Sequence, residues 1–462
     1  MTRPLRALAG GLLAGCLLLA GCQQQTAPAP PSEDAAAGMD LRPDTAGAGQ
    51  EPGALVAART LPSIDLRLKS VTSLAARMEY TSTSGISGDR TRVSGTVFVP
   101  NRPAPPGGWP VIVYGHPTTG IDADCAPSKS PTLLGAAPTV ETLVAAGYVV
   151  TVPDYQGLGV DDGGHPYLEP ATAGYNVIDA VRATRRLVPE VSDRWAAVGV
   201  SQGGQAVWAA NELAGEYGAG LALLGTVSLS PPTDLTGLAV DAGAGTLTRQ
   251  QQGALQLLLN ALHRERPQFN LDDYRRGVVA DEWEVLSSCD RADIAARIAA
   301  LDRITPDDLR PANPEALAAL EDYLRERSLP SRPTIAPMMV VFGGKDELLP
   351  ESWTRRALAA ACAMGDVIDI QFQPEKGHHD IDVSMAYPWL TGRFDGAPAP
   401  DTCTEFTAPA AAGAEYTAPA ADAGESADVG EPAGTDTGSD STEPEPTEQQ
   451  SSVSDDTTGD GE

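Results

Sequence analysis

Gly199-x-Ser201-x-Gly203 sets a serine between two glycines, after the apolar run Trp195–Val198 and before the Ala-rich segment 205–210. That order reads as strand, sharp turn, helix. Glycines two positions either side of the serine let strand and helix approach where a Cβ would clash. The serine Oγ then stands at the tip of the turn, and the helix N-terminus behind it offers free N–H groups to a developing oxyanion. A serine nucleophile needs a base to take its proton and a carboxylate to orient that base. The chain has five histidines: His116, His165, His263, His378 and His379. At such a turn the chain order is serine, acid, histidine. His116 and His165 precede Ser201, and His263 precedes the best acid, so the base is His378 or His379. Gly377 lets its loop swing the next ring toward the serine, which favours His378. The acid is Asp346, which follows the apolar run Val340-Val341-Phe342 and the turn Gly343-Gly344. Glu347 is expected to face the other way. Asp302, Asp307 and Asp308 follow no strand.

An oxyanion also needs backbone donors. One is the N–H of Gln202, directly after the nucleophile. The second belongs to the loop Gly115-His116-Pro117-Thr118-Thr119-Gly120. Pro117 has no N–H; Thr118 or Thr119 can serve, and Thr119 is the expected donor. His116 reads as a residue that packs this loop.

Three apolar runs must carry these loops: 109–114, 148–153 and the strand before Ser201. They alternate with helical patterns at 139–146 and 171–187, which means βαβ units and a parallel sheet. Residues 75–82 and 91–100 read as an antiparallel hairpin turning through Gly85 and Gly88. After a strand at 221–229 the alternation stops. About a hundred residues, 233–332, are helical, with segments at 250–263, 293–301 and 314–327, and form an inserted cap. Strands at 338–342 and 367–373 restore the sheet, with helices at 353–364 and 384–394.

The chain has 462 residues and a formal net charge of −30. Residues 401–462 hold 16 Asp and Glu and no Lys or Arg, leaving −14 for the rest. No basic patch points to nucleic acid, and the overall sign points away from it. Residues 1–21 read as a signal segment, basic at Arg3 and Arg6, then apolar, and short for a membrane span. It ends Leu19-Ala20-Gly21-Cys22, which resembles a bacterial lipobox, so Cys22 is the expected lipidation site. Gln23 follows, so inner-membrane retention is not signalled. The expected address is the outer cell surface or outer membrane, with plain secretion as the alternative; a lipid would anchor the protein to a membrane surface without spanning it. Residues 22–58 read as a disordered tether, 59–403 as the folded domain, and 404–462 as an acidic disordered tail. Beyond Cys16 and Cys22, four cysteines remain: Cys125, Cys289, Cys362 and Cys403. An even number in an exported chain suggests two disulfides, with three connectivities open. No C-x-x-C occurs and histidines are few, so a structural zinc site is not expected; no other metal and no cofactor is expected either.

Taken together, residues 60–403 resemble the secretory lipase family of α/β hydrolases. The carriers are Gly115–Gly120 with Cys125-Ala126-Pro127-Ser128, Asp154-Tyr155-Gln156-Gly157-Leu158-Gly159 with His165-Pro166-Tyr167-Leu168, the Ser201 turn, Pro231–Leu235, and Gly343–Pro350. The resemblance implies an α/β-hydrolase fold, a mostly parallel sheet with an inserted helical cap domain over an acyl-binding tunnel. It implies Ser201 as nucleophile, Asp346 as acid and His378 as base, the 32-residue interval between the last two being like the family's. It also implies disulfides Cys125–Cys289 and Cys362–Cys403. The expected activity is hydrolysis of carboxylic esters, lipid-like or short-to-medium acyl, through an acyl-enzyme. A peptidase or amidase of the same superfamily, or a surface lipoprotein that binds without catalysis, are the alternatives.

Overall fold

The computed structural model describes residues 38–41, 49–160, 163–404 and 406. The signal segment, Cys22, most of the tether and nearly all of the acidic tail lie outside the described residues.

One nine-stranded sheet carries the fold, in the order β1-β2-β3-β5-β4-β6-β7-β8-β9. β1 (Leu55–Thr60), β2 (Thr72–Thr83) and β3 (Arg90–Pro100) form an antiparallel entry, and β3 pairs antiparallel with β5 (Val149–Pro153). From β5 onward every pairing is parallel: β4 (Trp109–Gly115), β6 (Val191–Val200), β7 (Ala222–Leu229), β8 (Met338–Gly343) and β9 (Ile368–Gln373). β5 and β8 are buried along their whole length, as strands covered on both faces must be. This is the α/β-hydrolase arrangement.

β1 lies partly ahead of residue 59, where the folded domain was expected to begin. Leu55 and Ala58 are buried, and Asp40 bridges back to Arg59. A register shift between Leu55 and Ala57 breaks the alternation a strand would otherwise show. Gly53, Ala54, Ala57 and Ala58 leave little apolar side chain to mark a strand, which is why the segment reads as tether.

Helices α1 (Ala137–Ala146), α2 (Pro170–Leu187) and α3 (Gln202–Tyr217) cover the sheet. Val177, Ile178 and Val181 of α2 and Ala206, Val207 and Ala210 of α3 share one apolar core with β4 and β6. On the other face α1 packs Val140, Leu143 and Val144 against Ile112, Val150 and Ala196.

Between β7 and β8 the described chain contains no strand. Its main helices are α4 (Thr236–Ala244), α5 (Arg249–Glu265), α6 (Ile294–Leu301) and α7 (Pro314–Glu326). α5 starts on a capping box of Thr248 and Gln251. Its Leu255, Leu258, Leu259 and Leu262 follow the i, i+3, i+4, i+7 spacing of one helix face. They are buried with Leu320, Tyr323 and Leu324 of α7 in a core separate from the sheet's. Polar ties fix this insertion to the body, two of them near its ends. Arg356 of α8 (Glu351–Ala363) donates to Asp234 Oδ2 through Nε and Nη2 at 2.9 and 2.6 Å. Gln205 Nε2 donates to the carbonyl of Arg327 at 2.9 Å, where the insertion returns. Disulfides join Cys125 to Cys289 and Cys362 to Cys403, with Cα separations of 5.6 and 5.4 Å. α9 (Ala386–Phe394) closes the fold.

Candidate active site

Ser201 separates β6 from α3 with φ 51° and ψ −120°, outside the ordinary regions for an L-residue. Strain of this kind costs on the order of 1–3 kcal/mol and persists only where the surroundings hold it. Here Ser201 N–H donates to the carbonyl of Leu229 in β7 at 2.8 Å. The flanking glycines are required by contact. A Cβ on Gly199 would lie 2.0 Å from the carbonyl oxygen of Gly203, and one on Gly203 would lie 2.0 Å from that of Gly115. Gly203→Ala should therefore destabilise the fold by about 3 kcal/mol, because backbone on both sides must move. Equilibrium denaturation checks this; an unchanged midpoint would contradict it.

The β8–α8 loop supplies Asp346. Its Oδ1 accepts from the N–H groups of Leu348 and Leu349 at 2.9 and 2.8 Å, which leaves Oδ2 for His378 Nδ1 at 2.7 Å. The loop after β9 supplies His378, and its Nε2 stands 3.0 Å from Ser201 Oγ. All three residues are buried. With Nδ1–H donated to the carboxylate, Nε2 carries the lone pair and accepts from the serine hydroxyl. The structure therefore brings Ser201, His378 and Asp346 into one hydrogen-bonded line.

The other candidates stand elsewhere. His379 is exposed, its ring edge-on to His378 at 4.8 Å, and desolvation by its neighbours, then the adjacent His378, pushes its pKa down. Glu347 turns to the start of α5, its carbonyl accepting from Thr248 Oγ1 at 2.8 Å. His263 is exposed on α5. Asp302 pairs with Arg249, and Asp307 with Arg310. His116 is buried, with Nδ1 2.7 Å from the carbonyl of Pro117 and Nε2 3.3 Å from that of Asp154. Burial holds its pKa low, in keeping with a loop-packing role.

Gln202 opens α3, so its N–H has no acceptor within the helix. Thr119 is partly buried but is not among the residues that line the cavity at Ser201; Pro117 and Thr118 are. Residue types alone leave the two threonines equivalent, and only the path of the loop separates them. That cavity has a volume of about 690 Å³ and opens over Ser201. Gly253, Ala254 and Leu257 of α5 and Leu301 of α6 form its cap side, and Ile381 and Val383 its other wall. It is mostly apolar, as a site for an acyl chain would be. Among the described residues no cluster of three or more His, Cys, Asp or Glu is placed to hold a metal, and no helix is long and apolar enough to cross a membrane.

A model of the secretory lipase family matches residues 135–402. The chain belongs to that family. A protein of Mycobacterium tuberculosis (strain CDC 1551 / Oshkosh), named "Probable inactive lipase", is 27% identical over 383 residues, which cover 78% of this chain and 82% of the relative. Among solved structures, Candida antarctica lipase A in its closed state aligns at TM-score 0.63 and 18% identity, over 80% of this chain and 88% of the lipase. A rice cell wall degrading esterase of Xanthomonas oryzae aligns at TM-score 0.58 and 20% identity, over 74% of this chain and 96% of the esterase. These structures share the fold. Family and fold together place this secretory lipase homologue among ester hydrolases of the lipase type.

In the sequence Asp154 stands only as a carrier of the resemblance, and His165 as another carrier and as a base excluded by chain order. Asp154 accepts from Ser94 Oγ at 2.6 Å and from the N–H of Ser128 at 2.9 Å, fixing the loop that holds Cys125. His165 meets the side chain of Gln202. Both contacts are long-range, and no local pattern announces them.

Proposed function

We propose that this protein hydrolyses carboxylic esters of lipid-like or short-to-medium acyl chains through an acyl-enzyme. The observation that carries the reading is the line Asp346 Oδ2–His378 Nδ1 and His378 Nε2–Ser201 Oγ, at 2.7 and 3.0 Å, beneath an apolar cavity. Ser201 Oγ attacks the ester carbonyl while His378 Nε2 takes its proton. The oxyanion is held by the N–H of Gln202 and by that of Thr118 or Thr119. His378 returns the proton to the leaving alcohol, and water then deacylates the enzyme by the same route. An alcohol in place of water would give acyl transfer. No cofactor is needed.

The test is a fluorophosphonate probe with peptide mapping, alongside turnover of p-nitrophenyl esters from acetate to palmitate. A single adduct on Ser201, with turnover, is expected. A chain that neither labels nor turns over any ester would overturn the reading. One observation favours a catalytically silent binding protein, the name of the mycobacterial relative, and the same experiment decides between the two.

The cavity wall sets a chain-length prediction. A Cβ on Gly253 would meet only Leu301 Cδ2, in ordinary contact at 3.6 Å. Gly253→Phe should fill the cap side and lower kcat/KM for the longest acyl esters at least about tenfold relative to acetate. Equal loss across the series would rule out Gly253 as part of the acyl wall.

We also propose export and lipidation at Cys22, supported by the Leu19–Cys22 sequence. Incorporation of labelled palmitate, abolished by Cys22→Ala, tests it.

A further inference from the structure

Beside the two segments that face the oxyanion lies the described part of the chain between β5 and α2, whose Tyr167 also lines the cavity at Ser201. Tyr155 and Leu168 in it adopt left-handed φ values of 70° and 57°. Gln156 N–H donates to Asn176 Oδ1 of α2 at 2.8 Å, and Tyr155 OH donates to the carbonyl of His116 at 3.3 Å. Rings of His116, Tyr155, His165 and Tyr167 follow one another at centroid separations of 4.5, 6.3 and 6.0 Å. The last two rings do not only pack. His165 Nδ1 lies 2.8 Å from the carbonyl of Gln156, so Nδ1 is the protonated nitrogen and donates. Its Nε2 must then accept, and Gln202 Nε2 donates to it at 2.8 Å. Burial pushes the His165 pKa down to about 4, which keeps this tautomer neutral at neutral pH. Two residues further on, Tyr167 OH hydrogen-bonds Thr118 Oγ1 at 2.7 Å. Both rings are buried, and Gln202 is 2% exposed.

We propose that His165 and Tyr167 are positioning residues for the oxyanion hole, holding its two sides from one three-residue segment. His165 grips the side chain of Gln202, whose N–H is one donor. Tyr167 grips Thr118, in the loop that carries the other. The inference rests on the ester-hydrolase reading of Ser201. Its physical ground is the strained Ser201 backbone. The direction of the Gln202 N–H depends on that conformation, which the surroundings must hold. Leu229 holds it from the β7 side, and His165 holds the next residue from the opposite side. An oxyanion acquires its charge only in the transition state, so a donor displaced by a fraction of an ångström weakens transition-state binding and leaves substrate binding nearly unchanged.

The experiment compares Tyr167→Phe, which removes one oxygen, with His165→Leu and His165→Gln. Each is measured for kcat and KM on p-nitrophenyl butyrate, for Ki of a trifluoromethyl ketone transition-state analogue, and for melting temperature. Tyr167→Phe and His165→Leu should each lower kcat about 10- to 100-fold with KM within about twofold. The Ki should rise by the factor that kcat/KM falls. His165→Gln, whose amide oxygen can accept from Gln202, should recover most of the loss. Wild-type kcat in both Tyr167→Phe and His165→Leu would overturn the proposal. So would a fall in kcat that follows a lowered melting temperature with no matching rise in Ki, since that marks a purely structural role. A His165 variant that fails to fold leaves Tyr167→Phe to decide. A wild-type protein inert to ester and fluorophosphonate would overturn the underlying reading instead, and this proposal with it.

Discussion

His378→Ala is expected to lower kcat for an ester about 10⁶-fold, and His379→Ala by no more than about tenfold, although the two are neighbours. The difference lies in where each ring points. His378 is buried between Asp346 Oδ2 at 2.7 Å and Ser201 Oγ at 3.0 Å, so it alone can pass a proton to and from the reacting oxygen. His379 is exposed and borders the cavity, with its ring edge-on to His378. Removing it alters how substrate enters and leaves the proton path in place. Ser201→Ala should match His378→Ala, and the double variant should lose little more, because the two act as one unit. Steady-state rates on p-nitrophenyl butyrate, with active sites counted by fluorophosphonate in the wild type, measure all of this. A His378→Ala enzyme retaining more than about one hundredth of the wild-type rate, beside a dead His379→Ala enzyme, would exchange their roles. The same set bears on the name of the mycobacterial relative: a protein with this hydrogen-bonded line and no turnover would show that the line is insufficient.

Chain order made most of this site legible. Ser201 is marked by its two glycines, Asp346 by the strand and glycine turn before it, and His378 by elimination down to the pair His378 and His379 and then by the glycine before it. Each signal is local, and each arises from a constraint the backbone must satisfy, such as the contact of Gly203 with Gly115. The sheet was legible for the same reason, since β4, β5 and β8 are apolar on both faces. The remainder depends on how distant segments meet. Thr118 and Thr119 are chemically alike, and only the course of the loop brings Thr118 to the cavity. His165 and Gln202 are 37 positions apart and meet because β5 and β6 flank β4. β1 was hidden by its small residues, Ala54, Ala57 and Ala58. The helices of the insertion were legible from their leucine spacing, but the pairing of Asp234 with Arg356 across 122 positions was not.

Removing the Cys125–Cys289 disulfide should cost more than removing Cys362–Cys403, and in two properties rather than one. The first closes 164 residues and the second 41. Loop-closure entropy then assigns them about 5 and about 4 kcal/mol, as upper values. Position separates them further. Cys125 lies on the loop that begins at Gly115, seven residues after Thr118, and its partner lies in the cap. Arg264 of α5 reinforces the same junction, donating to the carbonyl of Ile121 at 3.0 Å and pairing with Asp122 at 2.7 Å. Without the disulfide, this exposed pair, which contributes about 0–1 kcal/mol, and the burial of Ile121 in the cap's core must hold the loop to the cap. The loop that faces the oxyanion then loosens. A Cys125→Ser/Cys289→Ser variant should therefore unfold about 3–5 kcal/mol more easily and lose kcat about tenfold or more at temperatures where it stays folded. The Cys362–Cys403 bond joins α8 to the chain beyond α9, away from the cavity. Its Ser/Ser variant should lose stability alone. Denaturation curves and kcat on the two double variants provide the comparison. Equal kcat in both would mean that the cap junction does not position the oxyanion-side loop, and that the first disulfide serves stability only.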